Sequence, residues 1–330
     1  MAYISPIASG YDRLYQKSSK DSEVSRIKAK MVDVVIPRFA GGSVFDYGCS
    51  IVEFMNSCLN IPSTSWAMGM RMASNKMLTA LAFSQNKVRQ PKTIFAYQPN
   101  DFGWISEQLS IPLVLKTLTG SQGHGVVVVE SQMALNMTLQ AFSKLGVNLL
   151  MQEWIDSGEP YSDIRAYVVD QKVVSAYRRH AVAGEKRTNY SLSKSGSVIK
   201  ITDEIETLAV KAANAVGLDV CAVDLIEDIN DNKKLFAIEA NTCGSLKGIE
   251  AVTQDNVAIE IIKYAETIGK GSARKKDDEK ESKAMIMQKP HFSTLSIVQK
   301  EATASALLSN GRKRPIASRE IVVKKCPLFT

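Results

Sequence analysis

The stretch VCAVDLIEDINDNKKLFAIEAN, residues 220–241, contains two apolar runs on either side of a polar turn. This pattern predicts a β-hairpin with a loop of about four or five residues. Side chains two residues apart on a strand point to the same face, so Glu239 and Asn241 project together, and the hairpin can bring Asp224 beside them. Two carboxylates and an amide oxygen on one face favour Mg²⁺, which prefers oxygen ligands. Three polar side chains on a solvated strand face are the alternative interpretation.

Length and composition are those of a globular protein. The chain has 330 residues, of which 45% are hydrophobic and 23% are charged, and this length suggests two domains, or one large domain with additions. No apolar stretch approaches the roughly 18 to 20 residues that a transmembrane helix needs. Residues 1–10 lack the pattern of a signal peptide. We therefore expect a cytoplasmic protein without membrane contact.

The excess positive charge is concentrated near the C-terminus. The chain has a formal net charge of +7, and residues 271–330 hold 13 Lys and Arg against 6 Asp and Glu, which accounts for the whole excess. Within this part, the run of mixed charge at Lys270–Lys283 is typical of a linker. The basic segment can bind RNA, a ribosome or an acidic protein, and a solvated extension is the alternative.

Hydrophobic periodicity predicts further elements. The clearest helix spans Thr202–Gly217, where Thr202 can cap the N-terminus and Gly217 can end the helix. The other predicted helices are Val44–Leu59, Met68–Phe83, one from Ser131 to near Gly146, Asn256–Ile268 and a short one at Ser296–Leu308. The other predicted strands are Val32–Pro37, Pro112–Lys116, Gly125–Glu130, Leu149–Trp154, Ile164–Val169, Val173–Arg178 and Arg319–Lys325.

A loop with two glycines, Gly120–His124, lies between two of these predicted strands. Glycines let backbone N–H groups approach a phosphate, and Lys116 at the end of the preceding strand can neutralise phosphate oxygens. The loop is not a Walker phosphate loop, because the Gly-Lys-Ser/Thr ending is absent and a strand follows rather than a helix.

Arginines cluster near the ends of the next strands, and arginine offers bidentate contacts to phosphate or carboxylate. A phosphoryl transfer needs such positive charge around the transferred group. The set consists of Arg165, Arg178, Arg179 and Arg187, and Asn189 follows it. The alternative for any one of these arginines is a surface position without a role in binding. The segment Gln152–Ile155 closes an apolar strand and can line an adenine pocket, although Trp154 can equally be part of the core.

Taken in this order, the motifs resemble the RimK-like branch of the ATP-grasp superfamily. The resemblance runs from about Asp33 to Glu266. It is carried by Val34-Val35-Ile36-Pro37-Arg38, Ser74-Asn75-Lys76, Leu113 to Val127, Gln152 to Ile155, Asp163-Ile164-Arg165, Gly184 to Asn189, Val223-Asp224-Leu225 and Glu239-Ala240-Asn241.

The resemblance implies an ATP-grasp fold of the α+β or α/β class, in which two α+β subdomains grip ATP. The domains that it implies are a shortened N-terminal pre-ATP-grasp domain at 1–72, an ATP-grasp domain at 73–268, a charged linker at 269–285 and a basic C-terminal tail at 286–330.

The resemblance also implies roles for individual residues. Arg179 and Arg165 would be catalytic, with Arg179 stabilising an acyl phosphate. The metal, Mg²⁺ or alternatively Mn²⁺, would be held by Asp224, Glu239 and Asn241. Lys76 and Lys116 would bind the phosphates of ATP, under a flap that contains Gln122, Gly123 and Gly125. Glu153, Trp154 and Ile155 would line the adenine, and Asp163 would bind the ribose. Arg187 and Asn189 would contact phosphate or metal.

The implied reaction is ATP-dependent: a carboxylate attacks the γ-phosphorus, and an amine then displaces phosphate to give an amide. We expect a homo-oligomer that adds an amino acid, with glutamate favoured, to a protein, peptide or small molecule. One alternative is a ligase for a carrier-bound amino acid or peptide. Another is a non-catalytic ATP-binding module that acts through its basic tail on RNA or an acidic partner. The chain departs from the family pattern at Ser191–Lys194 and Thr242–Gly248, where the family has substrate-facing residues.

Overall fold

A computed structural model describes residues 2–7, 11–16, 25–27, 32–39, 42–96, 102–120, 125–186, 188, 194–278, 296–307 and 313–324. The chain forms two compact units, Met1–Asp277 and Asp278–Thr330. No helix among the described residues is both long enough and apolar enough to span a bilayer.

The helices, in chain order, are α1 (Ser43–Ser57), α2 (Ala67–Ser74), α3 (Lys76–Gln85), α4 (Phe102–Gln108), α5 (Gln132–Lys144), α6 (Asp203–Val216), α7 (Leu246–Thr253) and α8 (Val257–Asp278). The strands are β1 (Ala2–Ile7), β2 (Tyr11–Gln16), β3 (Ser25–Ile27), β4 (Thr93–Ala96), β5 (Leu113–Thr117), β6 (Val126–Val129), β7 (Leu149–Glu153), β8 (Ser162–Val169), β9 (Lys172–His180), β10 (Gly196–Val198), β11 (Val220–Asp228), β12 (Lys234–Asn241), β13 (Ser296–Leu307) and β14 (Lys313–Lys324).

The smaller of the two central sheets has four antiparallel strands in the order β4-β7-β5-β6. Successive side chains of β5 point to opposite faces of the sheet. Leu113 and Leu115 are fully buried in a core with Leu135 and Leu139 of α5, whereas Lys116 points to the opposite face. One face of this sheet is therefore covered by helices, and the other is available for a site.

The larger sheet has five antiparallel strands in the order β10-β9-β8-β11-β12. One face packs against α2, α3 and α6, and Ile164 and Ala166 of β8 lie in that core. Tyr167 points the other way and belongs to a second core with Ile249 and Val257 of α7 and α8. These helices cover only part of this face, and the rest of it carries charged side chains.

The fold class and the hairpin agree with the sequence analysis. The β11–β12 pairing places Asp224 opposite Glu239 and Ala222 opposite Asn241. In α6, Thr202 Oγ1 accepts the N–H of Ile205 at 3.3 Å, and acidic residues occupy the first turn as the helix dipole favours. The helix ends at Gly217, which adopts the left-handed conformation with φ +74°.

Two predictions near the N-terminus were wrong. Residues 32–37 are not a strand, because only Val35 pairs with another segment, in an isolated parallel bridge to Ser63. Met68–Phe83 is two helices rather than one. Asn75 is extended, with φ −113° and ψ 112°, and its side chain accepts the N–H groups of Met77 and Leu78 as the N-cap of α3.

Two predictions near the C-terminus also need correction. Helix α8 continues to Asp278, so part of the charge run that we interpreted as a linker is helical. Residues 296–307 form strand β13, which pairs with β14, and not a helix. Of the strand that we predicted at Arg319–Lys325, residues 319–324 belong to β14, which begins at Lys313, and Lys325 lies outside the described residues. No sequence pattern predicted β1 to β4, β10, α4 or α7. The three boundaries between the four predicted segments stay predictions.

We expect Thr202→Ala to lower the free energy of unfolding by about 1 kcal/mol, because α6 loses the acceptor at its N-cap. Urea denaturation followed by circular dichroism measures the change. Thr207→Ala, on the exposed side of the same helix, is the matched control and should change stability by less than about 0.5 kcal/mol. Equal losses in the two variants would contradict the capping role.

Candidate active site

A cleft lies between the uncovered faces of the two central sheets. The space in it, including its open mouth, is about 1040 Å³. The predicted site residues that line it are Lys76, Lys116, Glu153, Trp154, Ile155, Asp163, Arg179, Asp224 and Glu239. The structure thus brings together side chains from six strands and from the start of α3.

Other predicted residues lie elsewhere. Gly125 does not line the cleft: it precedes β6, and a Cβ there would lie 2.3 Å from Thr117 Oγ1. Arg178 points away and pairs with Glu227 at 2.7 Å. Arg165 and Asn241 contact Asp224 but are not among the residues that line the cleft. Gln122, Gly123, Arg187 and Asn189 lie outside the described residues.

Asp224 is the centre of a buried ion-pair network. Arg165 donates to both of its carboxylate oxygens at 2.7 Å, and Arg179 Nη2 lies 3.0 Å from Oδ2. Burial alone would raise the pKa of Asp224, but the two guanidinium groups outweigh it and hold the pKa well below its usual range. Asp224 is therefore a carboxylate at neutral pH. Arg165 is connected to the cleft by its hydrogen bonds to Asp224.

Arg179 also pairs with Asp163, so two carboxylates share one guanidinium. Its Nε donates to Asp163 Oδ1 at 2.6 Å, and Thr188 Oγ1 donates to Asp163 Oδ2 at 2.6 Å. Burial raises the pKa of Asp163, and Arg179 opposes that shift. The side chain of Arg179 is only 3% exposed, so these contacts fix its charge against the wall of the cleft.

The proposed metal ligands are adjacent. The amide nitrogen of Asn241 lies 3.4 Å from Asp224 Oδ2 and 3.3 Å from Glu239 Oε1. Among the described residues no cluster of three His, Cys, Asp or Glu side chains suits a metal, so this set depends on the amide as its third donor. An amide offers an oxygen after a rotation of 180°, and the set then provides hard oxygen ligands, which fit Mg²⁺. Of these three side chains, Glu239 is the most weakly held, since its ion pair with Lys76 is long, at 3.7 Å between Nζ and Oε2.

Lys116 is a buried lysine held by a neutral partner. Its ammonium donates to Gln152 Oε1 at 2.5 Å, and Gln152 Nε2 donates to Thr93 Oγ1 at 3.0 Å. Burial lowers the pKa of Lys116 to about 8, and the nearby Glu239 opposes the shift. An ammonium has three donors, so the contact with Gln152 leaves others available to a ligand.

The wall at the end of β7 is aromatic and partly charged. Trp154 and Tyr161 pack edge to face with ring centroids 5.4 Å apart. Lys186 lies over both rings, 5.1 Å from the centroid of Trp154, and pairs with Glu130. The carboxylate of Glu153 accepts the backbone N–H of Lys92 at 2.6 Å, so Glu153 does not direct its charge freely into the cleft.

Three polar residues that line the cleft were given no role from the sequence, which are Tyr161, Lys186 and Thr188. A sequence signal existed for Thr188, which lies between two predicted phosphate contacts. Tyr161 and Lys186 carried no signal, because their contact with Trp154 depends on how the loops after β7 and β9 fold back.

Comparison with known proteins places this architecture in a family. The sequence profile of the RimK-like ATP-grasp domain matches residues 73–265. A probable alpha-L-glutamate ligase from Photobacterium profundum is 34% identical over 244 residues, which cover 74% of this chain and 78% of that protein.

Two solved structures share the fold at low sequence identity. The D-alanine–D-alanine ligase from Bacillus anthracis, complexed with ATP, has a TM-score of 0.57 at 18% identity, over 76% of this chain and 82% of that chain. The ATP-grasp ligase PsnB, complexed with minimal precursor, Mg and ADP, has a TM-score of 0.56 at 13% identity, over 78% of this chain and 86% of that chain. This chain therefore belongs to the RimK-like ATP-grasp family and is an ATP-dependent ligase that forms C–N bonds.

Proposed function

We propose that this ligase uses MgATP to activate a carboxylate as an acyl phosphate and joins it to an amine, with L-glutamate as the favoured amino-acid substrate. The observation that supports it best is the convergence of Lys76, Lys116 and Arg179 on one cleft with Asp224 and Glu239. The first three supply positive charge for phosphate, and the last two supply anionic oxygen for a cation.

The chain's own side chains would act mainly by position and charge. Lys116 would bind phosphate oxygens from the floor of the cleft, and Lys76, whose Nζ donates to Gly120 O at 3.2 Å, would bind them from the side of the glycine loop. Arg179 would stabilise negative charge on the transferred group, since it is fixed before the reaction. A bound Mg²⁺ would neutralise phosphate oxygens, held by Glu239, Asn241 and Asp224.

The nucleotide base would occupy the aromatic end. Trp154 and Ile155 line that part of the cleft, and an adenine site needs apolar faces with backbone groups at its edge. Glu153 would contribute its backbone rather than its side chain, because Lys92 engages its carboxylate. Asp163, two residues before Arg165 on β8, would bind the ribose.

The names of similar proteins support the proposed identities of the amino acid and the acceptor. The glutamate ligase name of the bacterial relative supports glutamate, and the PsnB complex with a precursor supports a peptide or protein acceptor. A small-molecule or carrier-bound acceptor is the alternative. The non-catalytic alternative has less support, because both lysines and both carboxylates line the cleft and Asn241 contacts the two carboxylates. Use of Mn²⁺, a homo-oligomer, a cytoplasmic location and RNA or ribosome binding by residues 271–330 stay predictions.

A phosphate-release screen tests the proposal directly. Purified protein with MgATP and each of the common amino acids is incubated with candidate peptides and carrier proteins, and the products are identified by mass spectrometry. We expect phosphate release that depends on both L-glutamate and an acceptor, with a matching mass increase of the acceptor. Absence of substrate-dependent phosphate with every pair would count against a ligase of amino acids.

We expect Glu239→Gln to reduce ligation by about 100-fold or more, because the least engaged oxygen ligand for the cation loses its charge. The loss should also appear as a higher Mg²⁺ concentration needed for half-maximal nucleotide binding. Glu227→Gln is the matched control, since Glu227 lies on the same hairpin but pairs with Arg178 outside the cleft. Full activity of Glu239→Gln would refute its role as a metal ligand.

The low pKa of Lys116 predicts a pH dependence of nucleotide binding. Lys116 loses its charge as pH rises through its pKa of about 8, and phosphate binds the charged form. The dissociation constant of ADP should therefore rise about tenfold between about pH 7 and pH 9, as measured by fluorescence titration at constant Mg²⁺. Lys116→Arg, which stays charged in this range, should remove most of that dependence. If Lys116→Arg keeps the pH profile of the wild type, the pH dependence of ADP binding belongs to another group.

A further inference from the structure

Arg38 is a positively charged side chain that the proposed mechanism does not use. It lies in the segment 32–39 and is exposed, yet its orientation is fixed. Its Nη1 donates to the hydroxyl of Tyr167 at 2.9 Å, and its Nη2 donates to the backbone carbonyl of Gly244 at 3.0 Å. The Tyr167 hydroxyl donates to the same carbonyl at 3.1 Å, which closes a ring of three hydrogen bonds.

Both anchors of this guanidinium are rigid. Tyr167 is fully buried in the core under α7 and α8. Gly244 presses against β11 so closely that a Cβ would lie 2.5 Å from Ala222 Cβ, which means that its carbonyl position requires glycine. Because each anchor is neutral, neither compensates the charge of Arg38, and no carboxylate in the described part of the chain forms an ion pair with it.

The position of Arg38 follows from the order of side chains along β8. Asp163, Arg165 and Tyr167 share one face of this strand, and each step of two residues advances about 7 Å. In the proposed function Asp163 is at the ribose, and Arg165 is opposite Asp224 at the metal. Tyr167 is one step beyond the metal and opposite Ala222, the partner of Asn241. Arg38 therefore lies on the side of the metal where the substrate that receives the phosphoryl group, or the amine that follows, must bind.

We propose that Arg38 is the binding site for an unreacting carboxylate of the amino-acid substrate. This assignment rests on the proposed function. A guanidinium pairs with a carboxylate through two parallel hydrogen bonds, and Arg38 has the N–H groups for this beyond the two that its anchors use. The loop that supplies the Gly244 anchor is Thr242–Gly248, where the chain differs from the family pattern, so this loop would set how the amino acid is oriented.

Direct binding tests the assignment without relying on turnover. The full chain is loaded with AMPPNP and Mg²⁺, and binding of radiolabelled L-glutamate is measured by equilibrium dialysis. We expect Arg38→Gln to weaken glutamate binding by at least about tenfold, which is the loss of one charge-assisted contact, while AMPPNP affinity is unchanged. Arg38→Lys should recover part of the affinity, and Tyr167→Phe, which keeps the charge but removes one anchor, should show a smaller loss than Arg38→Gln.

Arg89→Gln is the matched control, because this exposed arginine pairs with Glu204 away from the cleft, and it should bind glutamate like the wild type. Steady-state kinetics give a second readout, a higher KM for glutamate with an unchanged KM for ATP. Wild-type affinity and KM in Arg38→Gln would overturn the assignment, as would equal losses of glutamate and AMPPNP binding accompanied by a lower Tm, which indicate a structural clamp. If the wild type neither binds nor uses glutamate, the proposed function fails first and this assignment with it.

Discussion

The burial of Asp224 between Arg165 and Arg179 constrains the rest of the site. A buried charge without a partner costs several kcal/mol, so the strands that carry these residues must keep one register. The observed register sets Arg165 opposite Asp224 and Arg179 opposite Asp163. A slip of one residue on any of the three strands would turn a charge into the apolar core on the opposite face. The ion pairs thus specify the alignment of β8, β9 and β11 as well as the chemistry of the cleft.

The two lysines of the cleft are held by different means, and each depends on a neighbouring element. Lys76 is the first residue of α3, and its place is set by Asn75, which ends α2 and caps α3. Lys116 projects from the middle of a sheet, and Gln152 on the adjacent strand supplies a neutral acceptor. A neutral acceptor orients the ammonium without satisfying its charge, and that charge remains available to an anion.

Local patterns in the sequence predicted the elements whose signals are local. The hairpin 220–241, the caps of α6 and the buried strands follow from periodicity and turn residues, and so did the convergence of Glu239 with Asn241. The break at Asn75 was missed because apolar spacing continues through it. Residues 296–307 were mistaken for a helix because most of them, including three alanines, favour a helix and only Ile297, Val298 and Thr303 are β-branched. The strand that forms depends on its pairing with β14. The contact between Arg38 and Tyr167 joins residues 129 positions apart, and no local pattern encodes such a pairing.

The alternation of β5 has a consequence for how this enzyme can change over evolutionary time. Leu113 and Leu115 belong to the core, while Val114 and Lys116 between and after them line the cleft. Substitutions at adjacent positions therefore act on different properties of the molecule, the packing of the core at one and the lining of the cleft at the next. A change at Val114 can alter the cleft while the core keeps its side chains, and a change at Leu115 can lower stability while the lining of the cleft stays the same.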